Sequence, residues 1–228
     1  MASLIDLSVP IVHGDGRLGL KVDFETTIKY EDVNWQGSSF SMFAHYGTHV
    51  DAPNHFILHG KAIDQVPLGN LIGPAAVIDV SDHGEARGIA GDTLEDRGRH
   101  VRRSDIAILR TGWSDRAWGK DVFWKNGPYL TGGGADWLVE RGVKAVVYDF
   151  AEEFVVRNPG FRGEECEVHH KILGNDIYNI EYVQHLHKIS ASRVTLVAFP
   201  LRLVGLDGAP ARVVAIEGVD LPSEFSIK

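Results

Sequence analysis

The sequence predicts a mixed α/β fold in a single domain, and three observations support this prediction. Helical patterns are few, and the predicted strands are mostly not separated by long helices, which argues against a doubly wound parallel sheet. The 228 residues show no repeat, low-complexity stretch or obvious linker, so we expect one domain over residues 1–228. Short runs rich in β-branched residues predict buried strands at 75–80, 106–110, 144–148, 194–199 and 212–216.

Three segments are predicted to be helical. Residues 131–141 carry apolar side chains at helical spacing, and Gly142 follows them as a plausible C-cap. A second helix is predicted from about residue 165 to residue 173, and a third over residues 178–186.

Composition limits the classes of partner. The net charge is −8 and no run of Lys or Arg offsets it, so a nucleic-acid surface is not expected. The lone cysteine, Cys166, gives no sign of an oxidising compartment. Neither a signal peptide nor an apolar run long enough for a membrane helix is evident. We therefore expect a cytoplasmic protein that binds neither nucleic acid nor membrane.

Histidines and a carboxylate are concentrated in one short segment. Neutral imidazole and carboxylate are the usual ligands of catalytic Zn²⁺, Mn²⁺ or Fe²⁺. The alternative is a surface loop with scattered histidines, which this density of ligand-type residues disfavours. The residues are His45, His49, Asp51, His55 and His59.

The spacing in this segment favours extended structure over a helix. Gly47 and Pro53 are poor helix residues. In a strand, His49 and Asp51 would point to the same side. Gly47 would let the chain turn and bring His45 back towards them. Three ligands could then converge on one ion.

His55 and His59 differ in context. His55, two residues after Pro53, could be a further ligand or an acid/base near the metal. His59 precedes Gly60-Lys61 in a turn-like context, where a solvated histidine is the simpler interpretation.

A second, more ambiguous group of ligand-type residues lies later in the chain. Its glutamate run alone is typical of a solvated helix face. Adjacent histidines on a helix point apart, so at most one of the pair should face a site. Cysteine between two glutamates should have a raised pKa, which predicts an inert thiol. The group comprises Glu164, Glu165, Cys166, Glu167, His169, His170 and Glu181.

The run HYGTHVDAPNHF at 45–56 resembles the signature of the cyclase family of metal-dependent hydrolases, His-x-Gly-Thr-His-x-Asp-x-Pro-x-His-Phe. That family includes bacterial kynurenine formamidase and isatin hydrolase. The resemblance implies a swivelling β/β/α fold and a homo-oligomer, either a homodimer or a homotetramer. Other similar segments are 5–8, 61–64, 71–75, 103–106, 111–113 and 208–212.

The resemblance also implies roles for individual residues. His45, His49 and Asp51 would bind a first divalent metal, Zn²⁺ or Mn²⁺, and His55 would be the catalytic acid/base. Whether one or two ions bind stays open, because mononuclear members of the family exist.

In two-metal members, Asp51 would bridge to a second ion held by a later His and Glu. The family pattern is similar to the segment that ends in Ile172-Leu173, and aligning this apolar pair selects His169 and then Glu181. The alternative is a core His169 hydrogen-bonded to Glu181, with no metal role.

One segment departs from the family pattern. After Asp149, family members often carry a small-residue, Ser-containing segment, whereas this chain has Phe150-Ala151-Glu152-Glu153-Phe154. The charge there is expected to alter the substrate pocket.

Together these observations predict metal-assisted hydrolysis of an amide or lactam C–N bond in a small molecule. The ion would lower the pKa of bound water towards ~7 and polarise the carbonyl. His55 would take the proton and pass it to the leaving nitrogen. Phe40, Phe43, Trp35 and Trp113 could line a pocket for a planar substrate, although at least two of these four are expected in the core.

Two other functions share these features. A metal- or ligand-binding module without turnover would need the same ligands, but not His55. An oxygenase with two histidines and one carboxylate would depend on Fe²⁺ and O₂.

Overall fold

The structure is a computed structural model that describes residues 1–17 and 20–222. The helices are α1 (Tyr30–Val33), α2 (Gly91–Arg97), α3 (Trp113–Ala117), α4 (Asp121–Asn126), α5 (Gly132–Arg141) and α6 (Glu167–Gly174). The first seven strands are β1 (Ser3–Asp6), β2 (Gly16–Arg17), β3 (Leu20–Lys21), β4 (Asp23–Ile28), β5 (Gly37–Ser41), β6 (His49–Asp51) and β7 (Ile72–Asp79). The other seven are β8 (Gly88–Ile89), β9 (Ile106–Arg110), β10 (Tyr129–Leu130), β11 (Ala145–Tyr148), β12 (Tyr178–Glu181), β13 (Arg193–Pro200) and β14 (Gly208–Glu217).

Seven of these strands close into a barrel. Their order is β14-β13-β7-β9-β11-β12-β6, and β6 pairs back onto the start of β14. Strands β7, β9, β11 and β12 run parallel to one another, and the other pairings in the barrel are antiparallel. Strand β1 pairs with the far end of β14. Closure removes the free edges that an open sheet would expose.

Alternating side chains divide the buried residues into two layers. In β9, for example, Ile106 and Ile108 belong to one cluster, whereas Ala107 and Leu109 belong to the other. The first cluster combines alternate residues of all the barrel strands and fills the interior. The second includes Leu94 of α2, Leu138 of α5 and Ile172 of α6, so it lies between the barrel and these helices. Residues that face outwards from β7, β9 and β11 therefore meet helices rather than solvent.

The mixed α/β fold predicted from the sequence is confirmed. All five predicted strands are present, and the one at 212–216 is longer than expected because its first residues pair with β6. The helix predicted at 131–141 is α5, which Thr131 caps by accepting from the backbone N–H of Gly134, and Gly142 ends it in the left-handed conformation. The second predicted helix begins as a 3₁₀ turn at Gly163–Glu165 and continues as α6.

The third predicted helix, over residues 178–186, is wrong. Residues Tyr178–Glu181 form β12, which pairs with β11 on one side and β6 on the other. All four residues are buried, because their alternating side chains enter the barrel or face α6.

Two further expectations concern the molecule as a whole. Among the described helices, none combines the length and apolar character needed to cross a bilayer. The expectation that residues 1–228 form one domain extends to residues outside the described ranges and stays a prediction.

Candidate metal centre

The first three predicted ligands meet at the start of β6. Val50 belongs to the barrel interior, so its neighbours His49 and Asp51 face outwards on the same side. Gly47 adopts a φ of 73°, which turns the chain and returns His45 to this side. His45 Nδ1 lies 2.7 Å from Asp51 Oδ1, and His49 Nε2 lies 3.2 Å from the same oxygen. All three residues are buried.

His49 presents a lone pair to this group. Its Nδ1 lies 2.9 Å from the carbonyl oxygen of Gly47, and because a carbonyl only accepts, Nδ1 carries the hydrogen. In the neutral imidazole, which is the form that binds metal, the other ring nitrogen, Nε2, is then an acceptor that faces the Asp51 carboxylate. A hydrogen bond from the remote nitrogen to a backbone carbonyl is the usual way of orienting a metal-binding histidine.

His45 lies between two carboxylates. Its Nδ1 contacts Asp51, and its Nε2 is 2.8 Å from Oδ2 of Asp207, the residue that precedes β14. Burial opposes protonation of His45, but Asp51 and Asp207 outweigh it and raise its pKa to about 10. Burial alone would raise the pKa of Asp51, whereas the neighbouring imidazoles lower it well below its ordinary value.

His55 stands beside this group on a 3₁₀ turn, Pro53–His55. Its ring stacks on that of His45 with 3.8 Å between centroids, and its Nδ1 lies 3.2 Å from Asp207 Oδ2. Its side chain is 22% exposed, whereas the side chains of His45 and His49 are almost fully buried. His55 is thus the most accessible of the three histidines.

Asp207 was missed by the sequence analysis. Its hydrogen bonds with His45 and His55 hold the pKa of the carboxyl well below its ordinary value, so it is an anion beside both rings. The available signal was its position immediately before the segment 208–212, which the family resemblance had already singled out.

The second group of predicted ligands lies on the other side of Asp51. His169 Nε2 is 3.7 Å from Asp51 Oδ2 and 3.5 Å from Glu181 Oε1. Asp51 therefore turns one oxygen towards the first pair of histidines and the other towards His169. In the register of β6 and β12, Glu181 lies directly opposite His49, which places its carboxylate on the same outer face.

Helix α6 aims one of its two histidines at the site. Ile172 and Leu173 are buried against the barrel, and His169 on the preceding turn is buried with them. His170 is exposed, and its Nε2 contacts the carbonyl oxygen of Gly163 instead. The expectation that only one of the pair faces inwards is confirmed.

The glutamates of the segment after β11 are buried rather than solvated. Glu153 Oε1 accepts from the backbone N–H of His169 at 2.9 Å and lies 3.3 Å from its Nδ1. Glu152 Oε1 lies 3.1 Å from Nε2 of the same histidine. Burial and the nearby Glu181 carboxylate raise the pKa of Glu152 well above its ordinary value. The predicted departure from the family pattern therefore lies inside the site.

The donor set fits divalent cations. Among the described residues, His49 Nε2, Glu152 Oε2 and Glu181 Oε1 are buried atoms of this site that lack a hydrogen-bond partner. Within the described ranges, several sets of three residues have ligand atoms within 4.8 Å of one another, including the set of His45, His49 and Asp51 and the set of Glu152, His169 and Glu181. Buried acceptors that face one another repel unless a cation lies between them, and imidazole with carboxylate suits Zn²⁺ or Mn²⁺.

A cavity of about 210 Å³ opens onto these ligands. Arg17 contributes a cation to its wall, donating to the hydroxyl of Tyr182 at 2.6 Å and stacking on Trp124 at 4.1 Å. Tyr182 also lines the cavity, as do Phe43, Phe56 and Phe161.

The four aromatic residues named from the sequence have different positions. Phe43 lines this cavity, and Trp113 is buried in the layer between barrel and helices. Phe40 and Trp35 are exposed, so the core contains fewer of the four than expected. Phe56 and Phe161, which line the cavity, were not singled out.

Cys166 is buried at the edge of the cavity. Burial first, and then Glu153, raise the pKa of its thiol to about 11. The direction agrees with the sequence prediction of an unreactive thiol, although desolvation is the main cause.

Comparison with known proteins identifies relatives over nearly the whole chain. The chain is 29% identical over 216 residues to a kynurenine formamidase of Bacillus cereus, covering 92% of this chain and 95% of that protein. It is 30% identical over 186 residues to a kynurenine formamidase of Bacillus anthracis, covering 82% of each.

Solved structures share the fold. Isatin hydrolase A from Labrenzia aggregata superposes with a TM-score of 0.82 at 22% identity, covering 94% of this chain and 93% of that one. This likeness confirms the fold that the sequence resemblance implied. The Cyclase family model matches residues 5–152, which include β6 and the residues that follow it. The chain therefore belongs to the Cyclase family.

Proposed function

We propose that this protein is a metal-dependent hydrolase that cleaves an amide or lactam C–N bond of a small aromatic substrate, an arylformamide or a cyclic amide. The observation that carries the proposal is the set of buried, mutually facing acceptors beside the more accessible His55. The kynurenine formamidases that the chain resembles over most of its length support the substrate class.

His45, His49 and Asp51 would hold a divalent ion. When bound, such an ion supplies Lewis acidity, which lowers the pKa of water and polarises a carbonyl oxygen. His55 moves the proton: it accepts one from the attacking water and donates it to the leaving nitrogen. Asp207 fixes the His55 ring by contacting its Nδ1. Phe43 and Phe56 form walls against which a planar ring can pack.

The same donor chemistry leads us to propose Zn²⁺ or Mn²⁺, with a second ion at His169 and Glu181. Imidazole and carboxylate suit both metals. Asp51, which turns one oxygen to each histidine group, would be the bridge.

The test combines metal analysis with a substrate screen. Protein loaded with Zn²⁺ or Mn²⁺ should hydrolyse N-formylkynurenine, isatin or a related cyclic amide, and His55→Ala should not. Metal-loaded protein that is inactive against a broad panel of amides, lactams and lactones would support a binding module instead. Strict dependence on Fe²⁺ and O₂ would identify an oxygenase.

We also propose a homodimer or homotetramer. The antiparallel β4–β5 hairpin and the helix between its strands expose large apolar side chains, among them Tyr30, Trp35 and Phe40. Light scattering during size-exclusion chromatography tests this, and a monomer at micromolar concentration would contradict it. The cytoplasmic location expected from the lone cysteine stays a prediction.

A further inference from the structure

Glu152 occupies an unusual position for a carboxylate. It follows the strand β11, is only 2% exposed and lines the cavity beside His169 and Glu181. Its Oε1 lies 3.1 Å from His169 Nε2, whereas its Oε2 is buried and has no hydrogen-bond partner within the described part of the chain. A buried carboxylate oxygen without a donor is costly, so its presence requires a cause.

The surroundings of Glu152 increase this cost. Glu181 lies beside it, and its Oε1 also lacks a hydrogen-bond partner among the described residues. Glu153 adds a third buried carboxylate, already occupied by the backbone N–H and Nδ1 of His169. One imidazole cannot neutralise these three carboxylates. Arg17 lines the same cavity and attracts Glu152 and Glu181 electrostatically, but its guanidinium hydrogen-bonds to the Tyr182 hydroxyl.

A divalent cation would satisfy these atoms together. Ligand atoms of Glu152, His169 and Glu181 lie within 4.8 Å of one another, and Asp51 Oδ2 lies 3.7 Å from His169 Nε2. We propose that Glu152 is a direct ligand of the second metal ion, in addition to His169, Glu181 and the bridging Asp51. This inference rests on the proposed metal centre and adds a ligand to it.

The added carboxylate changes the character of the second site. It would contain three carboxylates and one imidazole, whereas the first would contain two imidazoles and the shared carboxylate. Oxygen-rich sites suit Mn²⁺ better than nitrogen-rich ones do. Loss of Glu152 should therefore weaken Mn²⁺ binding at the second site and leave the first site in place.

The experiment measures metal binding rather than turnover. Metal-depleted protein is titrated with Mn²⁺, and free Mn²⁺ is followed by electron paramagnetic resonance. Wild type should bind two ions per chain and show the spectrum of a coupled pair. E152Q keeps the size of the side chain but loses its charge. It should bind one ion tightly, and its affinity for the second ion should fall. The fall should exceed the roughly 10–100-fold loss of affinity that is typical when a group hydrogen-bonded to a ligand is removed.

A matched control separates a local effect from a general loss of charge. Glu164→Gln removes a carboxylate from the same connecting segment, but this side chain is 68% exposed and pairs with Arg162. It should bind two ions as wild type does. Circular dichroism and thermal unfolding of each metal-depleted variant check the fold. If E152Q does not fold, E152S, which leaves a smaller uncharged side chain, is titrated instead.

The outcomes distinguish this inference from the proposed function. Two ions bound to E152Q with wild-type affinity, or one ion only in wild type, would overturn the role of Glu152 even if the enzyme hydrolyses amides. Two ions in wild type and one in E152Q would support it even if no amide is hydrolysed. Substitution that instead releases both ions would also contradict the assignment, because Glu152 does not contact the first set of ligands.

Discussion

His49 and Asp51 are the residues on which the first metal site depends most directly. We predict that His49→Ala or Asp51→Ala reduces bound metal and abolishes hydrolysis, because water replaces either ligand poorly in a buried site. Elemental analysis and activity measured on the same preparation check this. His59→Asn is the control, since His59 is exposed and its positive φ of 63° is tolerated by asparagine. Full metal content and turnover in both alanine variants would contradict the assignment.

His55 should separate metal binding from catalysis. Because its ring stacks on His45 and lines the cavity, His55→Ala is expected to keep the first metal and lose activity by ~10²–10⁴-fold. Metal content and kcat are measured together. If metal is lost along with activity, His55 is a ligand and not the acid/base.

Asp207 should act through the two rings that it contacts. Asp207→Asn keeps the shape of the side chain but removes the anion that faces His45 and His55. We expect metal affinity or activity to fall by about 10–100-fold, as for other groups that orient ligands. Chelator competition gives the affinity. An unchanged affinity together with unchanged kcat would show that the contact is structural only.

Some of these residues were predictable from local sequence and others were not. His45, His49 and Asp51 lie within seven positions, where strand alternation and one glycine turn suffice to bring them together. Asp207 joins them only because β14 pairs with β6, a contact that local pattern does not contain. Glu152 was visible as an unusual charge, but whether it faced solvent or the site depended on tertiary packing.

At the scale of elements, β14 approaches the site so closely that only glycine fits at its first residue. A Cβ on Gly208 would lie 2.6 Å from His45 Cε1 and 3.0 Å from the carbonyl oxygen of Val50. We predict that Gly208→Ala displaces His45 and weakens binding at the first metal site. Gly133→Ala is the control, because the nearest atom to a Cβ there is 3.9 Å away. Metal titration of both variants decides: equal affinities would contradict the prediction.

Helix α6 should link stability to the second site. Ile172 is fully buried between barrel and helix, so Ile172→Ala should lower the free energy of unfolding by about 2–5 kcal/mol. The loosened helix should also hold His169 less firmly and weaken the second ion. Urea unfolding of metal-depleted protein measures the first effect. His170→Ala, on the exposed face, should cost about 1.5 kcal/mol or less.

The sequence predicted an element correctly where the element is a continuous run of buried apolar residues. The prediction failed where a strand contributes polar residues to the site. Strand β9 is apolar over its first four residues, so its sequence alone indicates a buried strand. Strand β12 alternates apolar and polar residues, but Asn179 and Glu181 face ligands rather than water, and Asn179 donates to Asp51 at 3.3 Å. Its strand character depends on two distant partners, which explains the erroneous helix at 178–186.

For the whole molecule, the buried carboxylates predict that metal stabilises the fold. Asp51, Glu152 and Glu181 lie close together, and without a cation their charges repel. Removing metal with a chelator should lower the unfolding temperature, and adding it back should restore that temperature. A free metal concentration a thousand times the dissociation constant should raise the free energy of unfolding by about 4 kcal/mol. Calorimetry measures this shift. Asp51→Asn, which lacks the shared ligand, should show a much smaller response to added metal.

Barrel closure has a consequence for biosynthesis. Strand β6, which carries His49 and Asp51, lies between β12 and β14, and of the described strands β14 is the last to leave the ribosome. Such long-range pairings form slowly, so His49 and Asp51 reach their final positions only after β12 and β14 have paired with β6. The nascent chain can therefore present isolated histidines but not the assembled cage. We therefore expect metal to bind only after the chain is released from the ribosome. Which metal ion binds should then depend on the affinity of the folded barrel and on the metals available around it.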